Sequence, residues 1–298
     1  MKSQRQVAAV VVTYNRKNLL IECLESLLNQ TFPIDLIIVI DNASTDGTQV
    51  YLREKGLLDN PKISYIRLEI NIGGAGGFYE GLKIGYRENF EWLWIMDDDT
   101  IPSSNALEEL MNANELLKKE DVNPLILGSR VNWIDGDPHP MNFPQIKRRN
   151  WNQIFLGLEY GLLPLRSVSF VSVLINSYAI EKYGFPMKKY FIWNDDVEYT
   201  GRILKEENGF LVPKSVVTHK TVTKYSPIEA SADRFFFEVR NKIWMILKSD
   251  AWTSYEKIRY SAILTKNIIN FLLRNKFSFK SVSVVLRGLV QGFIKSPY

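Results

Sequence analysis

The chain has 298 residues, of which 46% are hydrophobic and 23% are charged, which is typical of a globular protein that can bury a large core. A formal net charge of +4 is too small to indicate a nucleic-acid partner, and the single cysteine, Cys23, excludes an internal disulfide and fits a reducing compartment. The apolar run in residues 1–15 is too short for a secretory signal, and no segment approaches the ~20 apolar residues of a spanning helix. The composition therefore predicts a cytoplasmic protein.

Short β-rich runs alternate with helical patterns over the first hundred residues. The run at 7–12 is continuously apolar, which is typical of a strand covered on both faces. Residues 15–30 place leucines at helical spacing behind Asn15, a candidate N-cap. Strands alternating with helices indicate βαβ units, so we predict an α/β fold with a mostly parallel central sheet flanked by helices. Further strands are predicted at 36–40, 63–68 and 92–96.

The pattern is looser in the second half of the chain. Residues 132–152 are rich in Pro, Asn and aromatic side chains, which is typical of a long loop, and a strand-like pattern returns at 167–180. Residues 190–209 begin aromatic, turn acidic and become helical, and 210–220 are predicted as a last short strand and turn. From Ile228 onward the chain is predicted to be mainly helical and basic.

Polar or glycine-rich residues follow four of the predicted strands, at the point where each strand ends. The carboxyl ends of parallel strands lie at one edge of the sheet, where open α/β sheets bind their ligands. We therefore predict a site at this edge. Its four segments are 13–15, 41–42, 71–77 and 97–99.

Three consecutive aspartates, Asp97, Asp98 and Asp99, follow the fourth predicted strand. Adjacent carboxylates repel one another unless a positive group lies there, and carboxylate oxygens are ligands that Mg²⁺ and Mn²⁺ prefer. His219 follows the last predicted strand and is a candidate further ligand. The alternatives are a solvated turn before Pro102 for the aspartates and a structural role for the histidine.

A glycine-rich run at 71–77 is predicted as a loop that enters a helix. Its glycines permit close backbone approach to a ligand, and a helix N-terminus favours a phosphate or another anion. The run is not the dinucleotide-binding fingerprint, which follows the first strand, and the chain has no Gly-Lys-Ser/Thr of a Walker loop. A purely structural turn is the alternative.

A second acidic cluster, Asp195, Asp196 and Glu198, lies behind aromatic residues that include Trp193. A carboxylate beside apolar walls can have its pKa raised into the range that suits a general base. The alternative is an acidic first helical turn that complements the helix dipole.

Together, these segments resemble the inverting glycosyltransferases of family 2, which have the GT-A fold. The matching segments stand in the family's order over about residues 7–225. They are AVVVTYNR, DNASTDGT, the NIGGAGGF loop, MDDDT, WNDDVEYTGR and the later His219. Within the family, the combination most resembles bacterial galactofuranosyltransferases, followed by rhamnosyltransferases of polysaccharide assembly.

The resemblance implies a nucleotide-sugar site along the strand ends. A Mn²⁺ or Mg²⁺ ion would bridge the two phosphates of the donor, with Asp97, Asp99 and His219 as its ligands. Asp98 would face the donor sugar or the ribose. The other implied nucleotide-sugar residues are Thr13, Tyr14, Asn15 and Asp41 around uracil and ribose, and Asn71, Gly73, Gly74 and Gly76 near ribose and pyrophosphate.

The resemblance also implies roles for the second acidic cluster. Asp196 would be the catalytic base, Asp195 would hold acceptor hydroxyls or position the base, and Trp193 would form a wall of the acceptor site. In this chain Asn194 separates the tryptophan from the aspartates, whereas related sequences place the tryptophan directly beside them. This departure leaves open whether Trp193 points into the site and which aspartate is the base.

The resemblance implies a catalytic domain over 1–225, with a nucleotide-sugar half at about 1–130 and an acceptor half at about 131–225. The expected reaction transfers galactofuranose from UDP-galactofuranose to a growing cell-surface glycan carried on a polyprenyl lipid. Rhamnose from dTDP-rhamnose, or another hexose, is the alternative. Two other classes stay open: a nucleotidyltransferase, which would place a basic glycine-rich loop where this chain has TYNRKNLL, and a nucleotide- or glycan-binding module without catalysis.

The region 226–298 is predicted to be a basic, amphipathic helical extension. Within 252–298, Lys and Arg residues alternate with aliphatic and aromatic ones at helical spacing, which is typical of helices that bind an anionic membrane surface. This pattern predicts peripheral contact with the inner face of the cell membrane. The alternative is that the helices pack on the catalytic domain or on a second subunit of a homo-oligomer.

Overall fold

The computed structural model describes residues 5–224 and 232–298, which form a mixed α/β fold. Its strands are β1 (Arg5–Thr13), β2 (Leu36–Asp41), β3 (Ile63–Arg67), β4 (Phe90–Asp97), β5 (Thr100–Pro102), β6 (Ile126–Asn132), β7 (Gln145–Ile146), β8 (Leu163–Ser167), β9 (Val173–Asn176) and β10 (Gly209–His219). Its helices are α1 (Lys17–Leu28), α2 (Thr48–Glu54), α3 (Gly73–Arg87), α4 (Ala106–Lys119), α5 (Trp151–Tyr160), α6 (Ser177–Tyr183), α7 (Asp195–Leu204), α8 (Ala232–Leu247), α9 (Ser254–Arg274) and α10 (Phe279–Ile294).

The strands are ordered β3-β2-β1-β4-β9-β6-β10-β8-β7, with β5 paired to β10. Strands β3, β2, β1 and β4 are parallel neighbours, and so are β6 and β10. Strand β9 joins the two parallel groups and runs antiparallel to both β4 and β6. The prediction of an α/β fold with a mostly parallel central sheet is confirmed.

Both faces of the sheet are covered, which explains the continuous apolar run of β1. Val7, Ala9 and Val11 belong to a core cluster that includes α1 and α4. Ala8 and Val10 belong to the opposite cluster, which includes α3, α6 and α7. Because successive side chains of a strand point to opposite faces, a strand between two helical layers needs apolar residues at every position.

The glycine-rich run that was predicted as a loop is instead the start of helix α3. This helix lies close against the sheet. A Cβ at Gly77 would lie 2.5 Å from Val12, and one at Gly81 would lie 2.3 Å from Val10. Such close packing requires glycine and outweighs its weak helix propensity of ~1 kcal/mol per residue.

Helices α8, α9 and α10 form a core of their own. The rings of Phe235 and Phe271 stack with 3.8 Å between centroids, and α10 approaches α8 at Gly288, where a Cβ would lie 2.8 Å from Val239. In the described part of the chain, no helix is both long and apolar enough to cross a membrane. The helical region therefore packs as a small bundle rather than as separate surface helices.

Arg166 at β8 connects this bundle to the sheet domain. Its Nε donates to Glu256 of α9 at 2.8 Å, and its Nη1 donates to the carbonyl oxygen of Gly201 in α7 at 2.6 Å. The guanidinium also lies over the ring of Trp252, 4.4 Å from its centroid. These contacts show that the helices pack on the sheet domain, which was one of the two alternatives for this region.

Replacing Arg166 with alanine is expected to lower the free energy of unfolding by about 3 kcal/mol, because Glu256 would lose its partner inside a largely buried contact. Lys118→Ala is the matched control. It breaks an exposed pair with Glu115 and is expected to cost at most ~1 kcal/mol. Urea unfolding of both variants measures the difference, and equal losses would contradict a stabilising role for Arg166.

The same pair predicts a pH dependence of stability. Burial acts to raise the pKa of Glu256, but the hydrogen bond and charge of Arg166, together with hydrogen bonds from Thr253, lower it overall. A folded-state pKa below the unfolded value means that the contribution is present at neutral pH and is lost as pH falls through the lowered pKa. In Arg166→Ala the part of the acid dependence of stability that comes from the Arg166–Glu256 pair should be absent.

Candidate active site

The carboxyl ends of β1, β2 and β4 meet at one edge of the sheet. In the parallel register Thr13 pairs with Asp41, and Val12 pairs with Asp97. A cavity of about 230 Å³ opens at this edge. The predicted site residues that line it are Gly74, Asp97, Asp99, Trp193, Asp195, Asp196 and His219.

Asp97, Asp99 and His219 form the candidate cation site. Each offers one ligand atom, and these atoms all lie within 4.8 Å of one another. Nδ1 of His219 lies 2.8 Å from Oδ1 of Asn142, whose Nδ2 donates to Ser169 at 3.1 Å. Since an amide oxygen only accepts, Nδ1 donates to it, and Nε2 is the ring nitrogen that faces Asp99.

An unsatisfied oxygen supports a cation at this position. Oδ1 of Asp99 is buried and receives no hydrogen bond from the residues that the structure describes, although Nε2 of His219 lies 3.1 Å away. A buried carboxylate oxygen without a partner is costly. Two carboxylates and one imidazole nitrogen are a ligand set that fits a divalent cation such as Mn²⁺ or Mg²⁺.

The adjacent carboxylates perturb one another. Burial and the charges of Asp99 and Asp98 raise the pKa of Asp97 well above its usual value, and burial raises the pKa of Asp98 to about 6. For Asp99, burial acts to raise the pKa, but His219 and Arg16 lower it overall. The cluster is therefore stabilised by any positive group placed against it.

Arg16 is such a positive group, and the sequence motifs do not predict this role for it. Its Nη1 lies 2.5 Å from Oδ2 of Asp99 and 3.2 Å from Oδ1 of Asp98. Burial acts to lower the pKa of Arg16, but the three carboxylates raise it, so the guanidinium stays charged. The available signal was its place directly after the strand-end residues TYN.

Asp98 faces the end of β1 and does not line the cavity. Its Oδ2 accepts hydrogen bonds from the hydroxyl of Thr13 at 2.7 Å and from the N–H of Tyr14 at 3.4 Å. Asp98 is buried, whereas the side chain of Tyr14 is exposed. Asp98 thus holds the segment after β1, and its contact with the donor sugar or ribose stays a prediction.

Asn15 and Asp41 shape the turns beside the cavity. The side chain of Asp41 is fully buried and accepts hydrogen bonds from the N–H of Ser44 and from the hydroxyl of Tyr65. The prediction of Asn15 as an N-cap is wrong, because α1 begins at Lys17 and Arg16 flanks it. Instead Asn15 has a φ of 56°, and its Oδ1 accepts from the N–H of Thr45 at 2.7 Å. Contacts of these two residues with a nucleotide stay predictions.

The start of α3 is held from two sides. The N–H of Gly73 donates to Oδ1 of Asn71 at 2.8 Å, and the N–H of Ala75 donates to the carbonyl oxygen of Phe191 at 3.1 Å. Gly73 has a φ of 77°, and a Cβ there would lie 2.1 Å from that same oxygen, so only glycine fits. Gly76 faces a side chain of the preceding turn. Gly73 and Asn71 therefore fix the helix start, which faces the cavity through Gly74.

Asp195 and Asp196 are the first two residues of α7, and both line the cavity. Burial raises the pKa of each, and the charge of Asp196 adds to the effect at Asp195. Trp193 lines the cavity as well, although Asn194 separates it from the aspartates. Trp193 and Asn194 have left-handed φ values of 63° and 65°, so the backbone turns at this point and presents both the ring and the carboxylates to one cavity.

His139, which had no predicted role, lies behind His219 with 5.0 Å between ring centroids. Its Nε2 is 2.9 Å from the hydroxyl of Thr221. Burial lowers the pKa of His139 to about 4, so the ring is neutral at neutral pH. His139 supports the candidate ligand His219 by packing.

The sequence profile of glycosyl transferase family 2 matches residues 8–171 of the chain. The chain belongs to this family. Galactofuranosyltransferase GlfT1 of Mycobacterium tuberculosis is 29% identical over 204 residues, which cover 67% of this chain and 64% of that protein. The chain thus spans less than two thirds of this relative's length.

Two solved structures share the architecture of this family 2 chain. TarS of S. aureus in complex with UDP-GlcNAc has a TM-score of 0.63 at 16% identity, covering 96% of this chain and 80% of that one. GalNAc-T7 with UDP, GalNAc and Mn²⁺ has a TM-score of 0.59 at 16% identity, covering 80% of this chain and 48% of that one. At these identities the likeness shows the fold, which is of the GT-A type.

The family 2 motifs are local, and the structure adds residues that lie outside them. Asn142 orients His219. It comes from 132–152, where the prediction of one long loop is only partly right, because the chain forms a short helical turn at 140–142, strand β7 and the start of α5 there. Its sequence neighbourhood carries no periodic pattern that would have marked it. Helix α8, which lies outside the predicted catalytic domain, also contacts the segment that carries Trp193.

Proposed function

We propose that this protein transfers a sugar from a nucleoside-diphosphate donor to a hydroxyl group of an acceptor, with inversion at the anomeric carbon. The observation that carries the proposal is that two clusters of carboxylates line one cavity, one suited to hold a cation and the other suited to accept a proton. Asp97 and Asp99 lie with His219 in a cation-ligand arrangement, and Asp195 and Asp196 have raised pKa values. Membership of glycosyltransferase family 2 supports the same function.

The proposed mechanism divides the work between these groups. A Mn²⁺ or Mg²⁺ ion bound by Asp97, Asp99 and His219 would stabilise the charge on the departing diphosphate. Asp196 accepts the proton of the acceptor hydroxyl. At the same time the oxygen of that hydroxyl bonds to the anomeric carbon, and the bond from the anomeric carbon to the diphosphate oxygen breaks. Attack from the face opposite the diphosphate gives inversion. Asp195 holds acceptor hydroxyls or orients the base, and Trp193 forms a wall of the acceptor site.

The proposed donor is UDP-galactofuranose. Its support is the 29% identity to GlfT1, and the UDP-GlcNAc complex of TarS supports a UDP-linked donor in general. dTDP-rhamnose or another nucleotide-hexose is the alternative. The proposed acceptor is a growing cell-surface glycan carried on a polyprenyl lipid.

A donor panel tests the proposal. UDP-galactofuranose, UDP-galactopyranose, UDP-glucose and dTDP-rhamnose are each incubated with the protein and Mn²⁺, and products are identified by mass spectrometry. Slow release of the nucleoside diphosphate from one donor is expected even with water as the acceptor. Formation of a nucleoside triphosphate and a sugar 1-phosphate when inorganic pyrophosphate is added to the donor would indicate a nucleotidyltransferase. Binding of nucleotide without any turnover would indicate a binding module.

We also propose that the bundle contacts the inner face of the cell membrane through a surface that we call the α9–α10 face. Its exposed apolar members on α10 recur at helical spacing, and Phe279 is 91% exposed. Exposed Lys276, Lys280 and Arg287 lie beside them, and a mixed apolar and basic surface is complementary to anionic lipid. The apolar members are Leu273, Phe277, Phe279, Leu286, Val290 and Phe293.

Lysine-to-glutamate changes at 276 and 280 are expected to weaken binding to vesicles that contain anionic lipid, because each basic residue near the surface contributes ~1 kcal/mol. Removal of 252–298 is a poorer test, since it would expose the core that these helices share with α8. The matched control changes the exposed Lys55 and Lys62 to glutamate and alters the charge equally, from +4 to 0 in both variants. Co-sedimentation at low and high salt measures binding. The membrane contact would be contradicted if the full-length protein did not bind the vesicles at low salt, or if it formed a dimer that buries this face.

A further inference from the structure

The segment between the short turn at 188–190 and helix α7 has a strained backbone. Phe191, Trp193 and Asn194 have φ values of 68°, 63° and 65°. A non-glycine residue in the left-handed region costs of order 1 kcal/mol, so such a segment persists only where its surroundings hold it. This segment carries Trp193 and leads directly into Asp195 and Asp196, so whatever holds it also places the proposed acceptor-side groups.

Asn241 of α8 is the side chain that holds this backbone. It is fully buried, and its Nδ2 lies 2.9, 2.7 and 2.9 Å from the carbonyl oxygens of Tyr190, Ile192 and Trp193. An amide nitrogen has two hydrogens, so three acceptors share them. The adjacent Arg240 donates to the carbonyl oxygen of Tyr190 as well, at 2.8 Å. Two adjacent residues of α8 thus bind three carbonyl oxygens between residues 190 and 193.

Helix α8 also binds the inserted Asn194 through its side chain. The Nδ2 of Asn194 donates to Glu238 at 2.9 Å, and its Oδ1 accepts from Lys242 at 2.6 Å. Asparagine tolerates the left-handed conformation better than most residues, and here both ends of its amide have partners on α8. The departure from the family's motif at Asn194 is therefore matched by polar partners in the helical region.

The opposite side of the segment contacts the start of α3. The carbonyl oxygen of Phe191 accepts from the N–H of Ala75, and it lies 2.1 Å from the position that a Cβ of Gly73 would take. The ring of Phe191 stacks on Phe237 of α8, with 5.1 Å between centroids and an interplanar angle of 17°. The segment is therefore clamped between the glycine-rich helix start and α8.

We propose that Asn241 is a positioning residue, which sets the conformation of 190–194 and thereby the placement of Trp193 and of the two aspartates of α7. The catalytic unit then extends into helix α8, beyond the boundary near residue 225 that the sequence predicts. The expected effect on the rate rests on the proposed sugar transfer, whereas the expected effect on the conformation of 190–194 does not.

Asn241→Asp is the main test, because it keeps the shape of the side chain, removes both N–H donors and places an oxygen against three carbonyl oxygens. The matched control is Asn114→Asp in α4, since Asn114 is equally buried and does not line the cavity. The transfer rate at saturating donor, the affinity for UDP with Mn²⁺ by calorimetry, and hydrogen exchange of the amides in 189–197 are measured for both variants. The donor is the one that the panel identifies.

For Asn241→Asp we expect a loss of kcat of about 10²-fold, since a displacement of ~1 Å at a reacting group can cost that much. UDP affinity should be retained, and exchange should rise in 189–197 but not in the control. Asn241→Ala gives the same comparison should the aspartate variant not fold.

Two results would overturn the inference. One is a kcat no lower than that of Asn114→Asp. The other is a loss of UDP affinity as large as the loss of rate, which would indicate a general structural defect. If the wild-type protein transfers no sugar, the proposed function fails. The exchange comparison then still decides whether Asn241 holds the segment.

Discussion

Asp196→Asn is expected to lower the rate of sugar transfer by about 10²- to 10⁴-fold while the affinity for the nucleotide is retained. The substitution keeps the shape of the side chain and removes its ability to accept a proton. Asp196 lines the cavity, and burial raises its pKa, as expected of a carboxylate that works as a base. Steady-state kinetics at saturating donor, together with UDP binding, measure the two effects separately.

The same assignment predicts a pH dependence. The base is active as the carboxylate, so the transfer rate rises as pH increases through the raised pKa of Asp196 and is lost below it. The acid limb should therefore lie at higher pH than for an ordinary aspartate. Asp196→Asn should lose this limb from the profile of its residual rate.

Asp195→Asn is the comparison that decides between the two carboxylates. It is expected to cost less than Asp196→Asn and to act mainly on acceptor binding. Asp250→Asn, at an exposed position outside the cavity, is the control and should leave transfer unchanged. If Asp195→Asn has the larger effect on rate, then Asp195 is the base.

Asp99→Ala is expected to abolish turnover, and EDTA should do so reversibly in the wild-type protein. Oδ1 of Asp99 is buried and has no hydrogen bond from the described residues. Asp99, Asp97 and His219 each offer one ligand atom, and these atoms lie within 4.8 Å of one another. Removing it takes away one charged ligand, and metal stabilisation of a leaving diphosphate is worth several kcal/mol. His219→Ala, which removes a neutral ligand, should weaken metal dependence and lower the rate.

Binding of Mn²⁺, followed by electron paramagnetic resonance without substrate, measures the site independently of turnover. The exposed Asp59→Ala is the control and should bind Mn²⁺ like the wild-type protein. Full activity of Asp99→Ala in the presence of EDTA would refute the cation assignment.

Much of the fold could be predicted because the sheet is buried on both faces. Continuous apolar runs such as 7–12 follow from that burial, and the alternation of strands and helices follows from the parallel connections. The position of Asp97 and Asp99 at a strand end could also be predicted, since it depends only on where the apolar run stops. Local pattern therefore predicts the elements and the edge of the sheet where polar groups gather.

Other features depend on contacts between distant residues, which local pattern does not contain. The glycines after residue 72 form a helix because α3 packs tightly on Val10 and Val12, not because of their own propensity. Asn142 reaches His219 from a short helical turn 77 residues earlier in the chain, and Asn241 reaches Trp193 from 48 residues later. No periodicity marks either contact.

The sequence by itself determined the α/β class, the family and the acidic segments that face the cavity, because these follow from burial patterns and from short motifs. Only the tertiary structure decided that Trp193 and both aspartates of α7 line the cavity despite the inserted Asn194, and that the helical region packs on the sheet domain. The physical reason is that a strained backbone segment takes its conformation from the buried groups that hydrogen-bond it. Here those groups lie on α8, a helix far along the chain.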